Sequence, residues 1–314
     1  MKYLFLFLTL LFSPAHANSL DKVNQKSWIH GSEDCINNND PAIDIYQFSE
    51  STFVLRQNKC VHFEAPFIYV LFGEHTVFVQ DTGATAEAEL FPLYETLQEM
   101  IANWSKSHHI NNLNLLITHS HSHSDHRAAD LQFRGKPGVT LVEPDADSVH
   151  QYFGFTDWPQ GTSTVDLGGR ELTIIPVPGH QKESIAIYDP QTQWLLTGDT
   201  FYPGRLYIKD WEPYKSSIQR LLEFSNKHEI SAIMGTHIEM STVAGKDYPA
   251  GSTYQPDEAG LALSVKDLLS LNNSLDEIGD KAEEKTMAKF IIAPIGLLQR
   301  TVGGFVGWLR NLAN

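Results

Sequence analysis

The sequence predicts an α+β fold in which mixed sheets are covered by helices. Three observations predict it. Short β-branched and aromatic runs come first and include a hairpin, strands and helices then alternate, and helices dominate late in the chain. The 314 residues are 42% hydrophobic and 19% charged, which excludes a disordered chain, a collagen-like fibre and a coiled coil. No internal repeat, low-complexity segment or linker divides the chain, so one large domain is expected.

The elements follow in order. Lys2, the apolar run 4–12 and Ala15-His16-Ala17 read as a secretory signal peptide at 1–17, cut before Asn18. Its removal places the mature chain in the periplasm or outside the cell; a retained N-terminal anchor is the alternative. In that oxidising setting Cys35 and Cys60 are expected to form a disulfide, against the alternative of two buried free thiols. Residues 18–50 are polar and loop-like. Strands are predicted at 52–56, 67–72 and 75–80, with Gly73-Glu74 as the hairpin signal. Asp81-Thr82-Gly83 ends the hairpin. Leu90, Leu93, Leu97, Ile101 and Trp104 give 86–105 a helical period. Strands follow at 113–118, 139–143, 171–177, 185–189 and 194–197. A helix at 216–228, a buried strand at 230–234 and helices at 257–271 and 275–289 complete the body at 18–288. The tail 289–314 carries Lys289, Arg300 and Arg310 with no acid, and it is strongly apolar. It reads as a helix that packs on the body or roofs a pocket; peripheral membrane or partner contact through that helix is the sharper alternative.

A net charge of -15 argues against a nucleic-acid partner, because phosphate binding needs clustered Lys and Arg. The notable number is 14 histidines. Four of them lie in 119–126, directly after the apolar strand, and His121, His123, Asp125 and His126 form H-x-H-x-D-H. Alternating side chains in an extended loop aim His121 and His123 the same way, and Asp125 and His126 can turn to a second metal. Imidazole and carboxylate suit zinc, and also iron or manganese. His180, Asp199 and His237 each follow a predicted strand, in Pro178-Gly179-His180, Gly198-Asp199 and Gly235-Thr236-His237. Singly each is more often a structural polar residue; their repeated placement at strand ends raises the joint reading.

These pieces, in this order, resemble the metallo-β-lactamase-fold hydrolases over roughly residues 50–245. The resemblance implies a four-layer αββα sandwich with two divalent metal ions between the sheets, Zn2+ first, with Fe or Mn as alternatives. It implies His121, His123 and His180 on one metal, Asp125, His126 and His237 on the other, and Asp199 bridging. One departure stands out: in many relatives Thr directly precedes the first ligand, whereas Thr118 is here followed by His119 and Ser120. Aligning on Asp125-His126 keeps the whole motif and leaves His119 as either a supporting donor or a solvent-facing residue.

The implied activity is hydrolysis of a small-molecule ester, lactone or thioester through a metal-bound hydroxide, with Asp125 as the catalytic proton acceptor. A periplasmic β-lactamase is the alternative, weakened because β-lactamases usually carry Cys or Ser at the position of Asp199. A non-catalytic binding protein that keeps the fold is another. Tyr202, Arg205 and Tyr207, among Phe201 and Trp211, are candidates for the substrate pocket, and Glu239 for an acceptor behind a ligand imidazole.

Overall fold

A computed structural model describes residues 18–110 and 112–296; the predicted signal peptide at 1–17 and residues 297–314 of the tail lie outside them. The first sheet holds β1 (Ile43–Ser49), β2 (Thr52–Gln57), β3 (Phe67–Phe72), β4 (Thr76–Gln80), β5 (Asn114–Thr118) and β6 (Val139–Leu141), side by side in chain order. The second holds β7 (Ser163–Asp166), β8 (Glu171–Pro176), β9 (Ile185–Asp189) and β10 (Trp194–Gly198), then β12 (Ala232–Gly235) and β13 (Ala262–Leu263). A small third sheet joins β11 (Arg205–Ile208), β15 (Ile291–Pro294) and β14 (Lys285–Thr286). The helices are α1 (Asn18–Asn24), α2 (Leu93–His108), α3 (Ser124–Arg127), α4 (Ala146–Phe153), α5 (Trp211–Ser225) and α6 (Val265–Ile278).

Burial explains the layering. β3 and β9 are buried along their whole length, as strands covered on both faces must be. Tyr69, Leu71, Phe78 and Leu116 of the first sheet share one core with Ile174, Ile187, Leu196 and Met234 of the second. The outer face of the first sheet packs on Leu93 and Leu97 of α2, and that of the second on Ile218 and Leu221 of α5 and Leu268 and Leu271 of α6. The order helix, sheet, sheet, helix is the αββα sandwich.

Strand direction places the site. β4 and β5 run parallel, so their C-terminal ends share an edge. β8 and β10 are both antiparallel to β9, and β12 is parallel to β10, so the ends of β8, β10 and β12 share an edge of the second sheet.

Several sequence expectations change. The segment 18–50, read as loop, contains α1 and β1. The helix expected at 86–105 starts at Leu93, with Pro92 at the boundary where a missing N–H costs nothing. The two late helices are one. Ser264 and Asp267 form a capping box that starts α6, and Gly279 follows its end, so 257–264 and 280–289 are not helical. The helical tail does not begin at 289 either: Phe290 is buried, 5.3 Å from the Phe201 ring, and 291–294 is strand β15. The row of Phe290, Ile291 and Ile292 is apolar because β15 is the middle strand of its sheet.

Cys35 and Cys60 are joined, with Cα atoms 5.0 Å apart across a separation of 25 residues. The bridge pins the β2–β3 loop, which borders the site described next. Changing both cysteines to serine is expected to lower unfolding stability by about 3 kcal/mol in chemical denaturation, from the loop entropy returned to the unfolded chain.

Candidate metal centre

Four loops at one edge of the sandwich bring the seven predicted ligands together. The loop after β5 carries His121, His123, Asp125 and His126; the ends of β8, β10 and β12 lead to His180, Asp199 and His237. They form two groups. His121, His123, His180 and Asp199 make one, and Asp125, His126, His237 and Asp199 the other, each with its donor atoms within 4.8 Å of one another. Asp199 belongs to both.

In the first group His123 Nδ1 lies 2.9 Å from His121 Nε2 and 3.1 Å from His180 Nε2. Asp199 Oδ2 lies 3.7 Å from His121 Nε2 and 3.6 Å from His180 Nε2. In the second, Asp125 Oδ2 lies 3.1 Å from His126 Nε2 and 3.3 Å from His237 Nε2. Asp199 reaches these rings at 3.5 and 3.4 Å.

Whether the residues fit a metal is decided by the far nitrogens. His180 Nδ1 donates to the Tyr207 carbonyl at 2.7 Å, and His237 Nδ1 to the Glu64 carbonyl at 3.1 Å. His126 Nδ1 donates to Asp81 Oδ2 at 2.9 Å, and His121 Nδ1 to Ser120 Oγ at 3.0 Å. With Nδ1 committed as a donor, a neutral ring turns its Nε2 lone pair inward. Convergent lone pairs and carboxylates repel one another unless a cation or a proton sits among them. The donor set therefore fits divalent cations, with nitrogen and oxygen ligands suited to zinc, iron or manganese.

Protons divide unevenly between the groups. Burial, reinforced by the neighbouring imidazoles, holds His121 well below the ordinary histidine value, His123 at about 4 and His180 lowered. For His126 and His237 burial again opposes the charge, but the carboxylates win. Asp125, Asp199 and Asp81 hold His126 well above its ordinary value, and Asp199 and Asp125 raise His237 to about 9. Burial opposes the charge of Asp125 and Asp199 too, yet the adjacent imidazoles draw both well below the carboxylate range.

The support around the ligands was only partly visible in the sequence. Asp81 was legible only as a turn. It is fully buried at φ +71°, and its carboxylate accepts from Ser120 N–H at 2.7 Å and Ser120 Oγ–H at 2.9 Å besides His126. Buried Glu183 accepts from Ser122 N–H at 3.1 Å and so fixes the ligand loop from the second sheet. Thr236 Oγ1 donates to Asp199 at 2.5 Å. Gly198 is needed where it stands: its φ is +54°, and a Cβ there would lie 2.5 Å from that of Ser120. Tyr214 and Ser217 of α5 donate to the carbonyls of Thr200 and Pro178, bracing two ligand loops at once. His119 is a buried supporting residue; its Nε2 lies 2.9 Å from Asp130 and its Nδ1 3.1 Å from the Val142 carbonyl.

The predicted pocket residues separate. Arg205 is spent on Asp247 at 2.7 Å and Glu284 at 3.0 Å. Tyr202 is buried, its ring 5.7 Å from that of His237 and its hydroxyl shared by the Arg205 carbonyl and Glu239. Of the three, Tyr207 lines the cavity beside His237.

Residues 63–271 match the family model described as "Metallo-beta-lactamase superfamily", about two thirds of the chain. The chain belongs to the metallo-β-lactamase superfamily. All seven candidate ligands fall inside the superfamily match. A hydroxyacylglutathione hydrolase of Hyphomonas neptunium is 29% identical over 148 residues, 43% of this chain and 57% of that protein. Acyl-coenzyme A thioesterase MBLAC2 of Gallus gallus is 32% identical over 87 residues, 26% of this chain and 31% of that one. The chain thus spans less than two thirds of the length of these curated relatives, 57% of the first and 31% of the second. A solved structure described as "Metallo-beta-lactamase from Pontibacter korlensis" aligns with a TM-score of 0.47 and 17% identity over 74% of this chain and 99% of that one.

The split in proton affinity gives a measurable consequence. Groups with raised pKa values carry protons at neutral pH, and a metal must displace them. Metal-free protein titrated with zinc at pH 7 should release about two protons, from His126 and His237, read by calorimetry in buffers of different ionisation enthalpy. Metal affinity should fall as pH drops, and proton release should shrink as pH rises past about 9. No proton release at pH 7 would contradict the assignment.

Proposed function

We propose that the protein is an exported metal-dependent hydrolase of an ester, lactone or thioester, holding two divalent ions. The observation that carries this reading is the sharing of Asp199 between two complete donor groups. Bound divalent ions would polarise a carbonyl and lower the pKa of water to about 7, supplying a nucleophile without a strong protein base. The chain's own residues set the rest. His121, His123 and His180 hold one ion, and Asp125, His126 and His237 the other. Asp81, Ser120, Tyr207 and Glu64 fix four of the rings so that their inward nitrogens cannot turn away.

Asp125 is the least buried of the carboxylates in the two groups, its side chain 18% exposed against 9% for Asp199. It therefore faces the incoming substrate while still touching two imidazoles. Its free oxygen can orient a water hydrogen and carry a proton toward the leaving group. Thioesters are favoured among the substrates by the relatives named as hydroxyacylglutathione hydrolase and acyl-coenzyme A thioesterase. The Cys35–Cys60 disulfide supports an oxidising compartment, in keeping with export.

The test is a panel of aryl esters, acyl-homoserine lactones, thioesters and nitrocefin on zinc- and manganese-loaded protein. Chelation should abolish turnover and added metal restore it. Asp125→Asn should reduce kcat by at least about 100-fold on the best substrate, the scale of lost acid–base catalysis. Undiminished activity in that variant would refute the role given to Asp125.

A further inference from the structure

Beside the metal centre lies a cavity of about 90 Å³, lined by Lys59, Phe63, Glu64, Tyr207, His237 and Glu239 among others. Lys59 is only 3% exposed, and its ammonium makes one hydrogen bond, to the Phe63 carbonyl at 3.0 Å. Among the described residues no carboxylate lies within ion-pair distance of it. Buried charges are normally paired, because an unpaired ammonium loses its hydration for nothing in return. Burial, with the nearby Arg56, lowers Lys59 to about 8 against the longer-range pull of Glu258, Glu64 and Glu239, so it remains mostly protonated at pH 7.

The loop that carries Lys59 is built into the site. Cys60 is tied to Cys35, and the Glu64 carbonyl at its far end receives His237 Nδ1–H. Lys59 is thus held at one end of the segment that orients a ligand imidazole at the other. A side chain in that place can read the part of a substrate that extends past the reacting carbonyl.

We propose that Lys59 binds a carboxylate at the far end of the acyl group of the substrate. The substrate class is then a thioester or ester of a dicarboxylic acid, reacting at one end and held by the other. Glu64 and Glu239 line the same cavity and oppose an anionic guest, an effect that Lys59 must outweigh. Glu239 is already engaged, accepting from Arg205 N–H at 2.6 Å and from the Tyr202 hydroxyl at 3.2 Å. The volume suits a carboxylate and a few methylenes, being about three times the share of one water in the liquid.

This inference rests on the hydrolase reading, and its test separates the two. Glutaryl and adipyl thioesters of N-acetylcysteamine are compared with the uncharged hexanoyl thioester on metal-loaded protein. Lys59→Met should lower kcat/KM for the charged substrates by at least about 10-fold, mostly through KM, the usual scale for losing a charged hydrogen bond. The hexanoyl thioester should change by less than about 2-fold, and Lys59→Arg should restore part of the loss. Binding of adipate, with adipamide as control, is measured by calorimetry on metal-loaded and metal-free protein. Lys59→Gln serves as a second variant, expected to weaken adipate binding if Lys59→Met does not fold.

If no ester, lactone or thioester of either panel is turned over but adipate binds in a Lys59-dependent way, the hydrolase reading fails and the site stands. Equal adipate binding in wild type and Lys59→Met, or an unchanged ratio of charged to uncharged turnover, overturns the site.

Discussion

The buried carboxylate of Asp81 is the contact on which the centre depends. It ends β4 in a left-handed backbone conformation and accepts three hydrogen bonds, two from Ser120 and one from His126. A left-handed L-residue costs about 1–2 kcal/mol, less for Asp, and three bonds to a charged acceptor outweigh it. The effect is geometric. The first ligand loop is locked to the neighbouring strand end, and His126 can present only Nε2 to the centre. Glu183 does the same for Ser122 from the second sheet, so the loop is held from both sides of the sandwich.

The two halves of the centre meet the problem of buried charge differently. His121, His123 and His180 remain neutral because burial and mutual repulsion forbid their protonation. His126 and His237 instead take protons and pair with Asp125 and Asp199. The second half is therefore already compensated in the chain alone, whereas the first presents bare lone pairs. Both arrangements follow from where the carboxylates stand, and a metal exchanges with protons only in the second.

Much of this was legible in the sequence because the ligands sit at the ends of apolar strands. Strands β5, β8, β10 and β12 are largely apolar, and each is followed within four residues by a ligand: His121, His180, Asp199 and His237. The edge strand β1 was missed because Asp44, Gln47 and Ser49 interrupt its apolar residues, of which only Ile43 is buried. Strands β11 and β15 pair in parallel across more than eighty residues, which no local pattern encodes. The capping box at Ser264 and the stop at Gly279 were written in the sequence, but the apolar period on either side concealed them. Lys59 had no motif at all. Its isolation comes from the fold around it, and so does the commitment of Arg205 to Asp247 and Glu284 rather than to substrate.

The central claim is that two ions share Asp199. Anomalous diffraction from crystals of the zinc-loaded protein, collected at the zinc edge, tests it most directly. The account predicts two peaks of comparable height, one among His121, His123 and His180 and one among Asp125, His126 and His237, with Asp199 in contact with both. A single peak at full zinc loading, or Asp199 turned away from either ion, would contradict it.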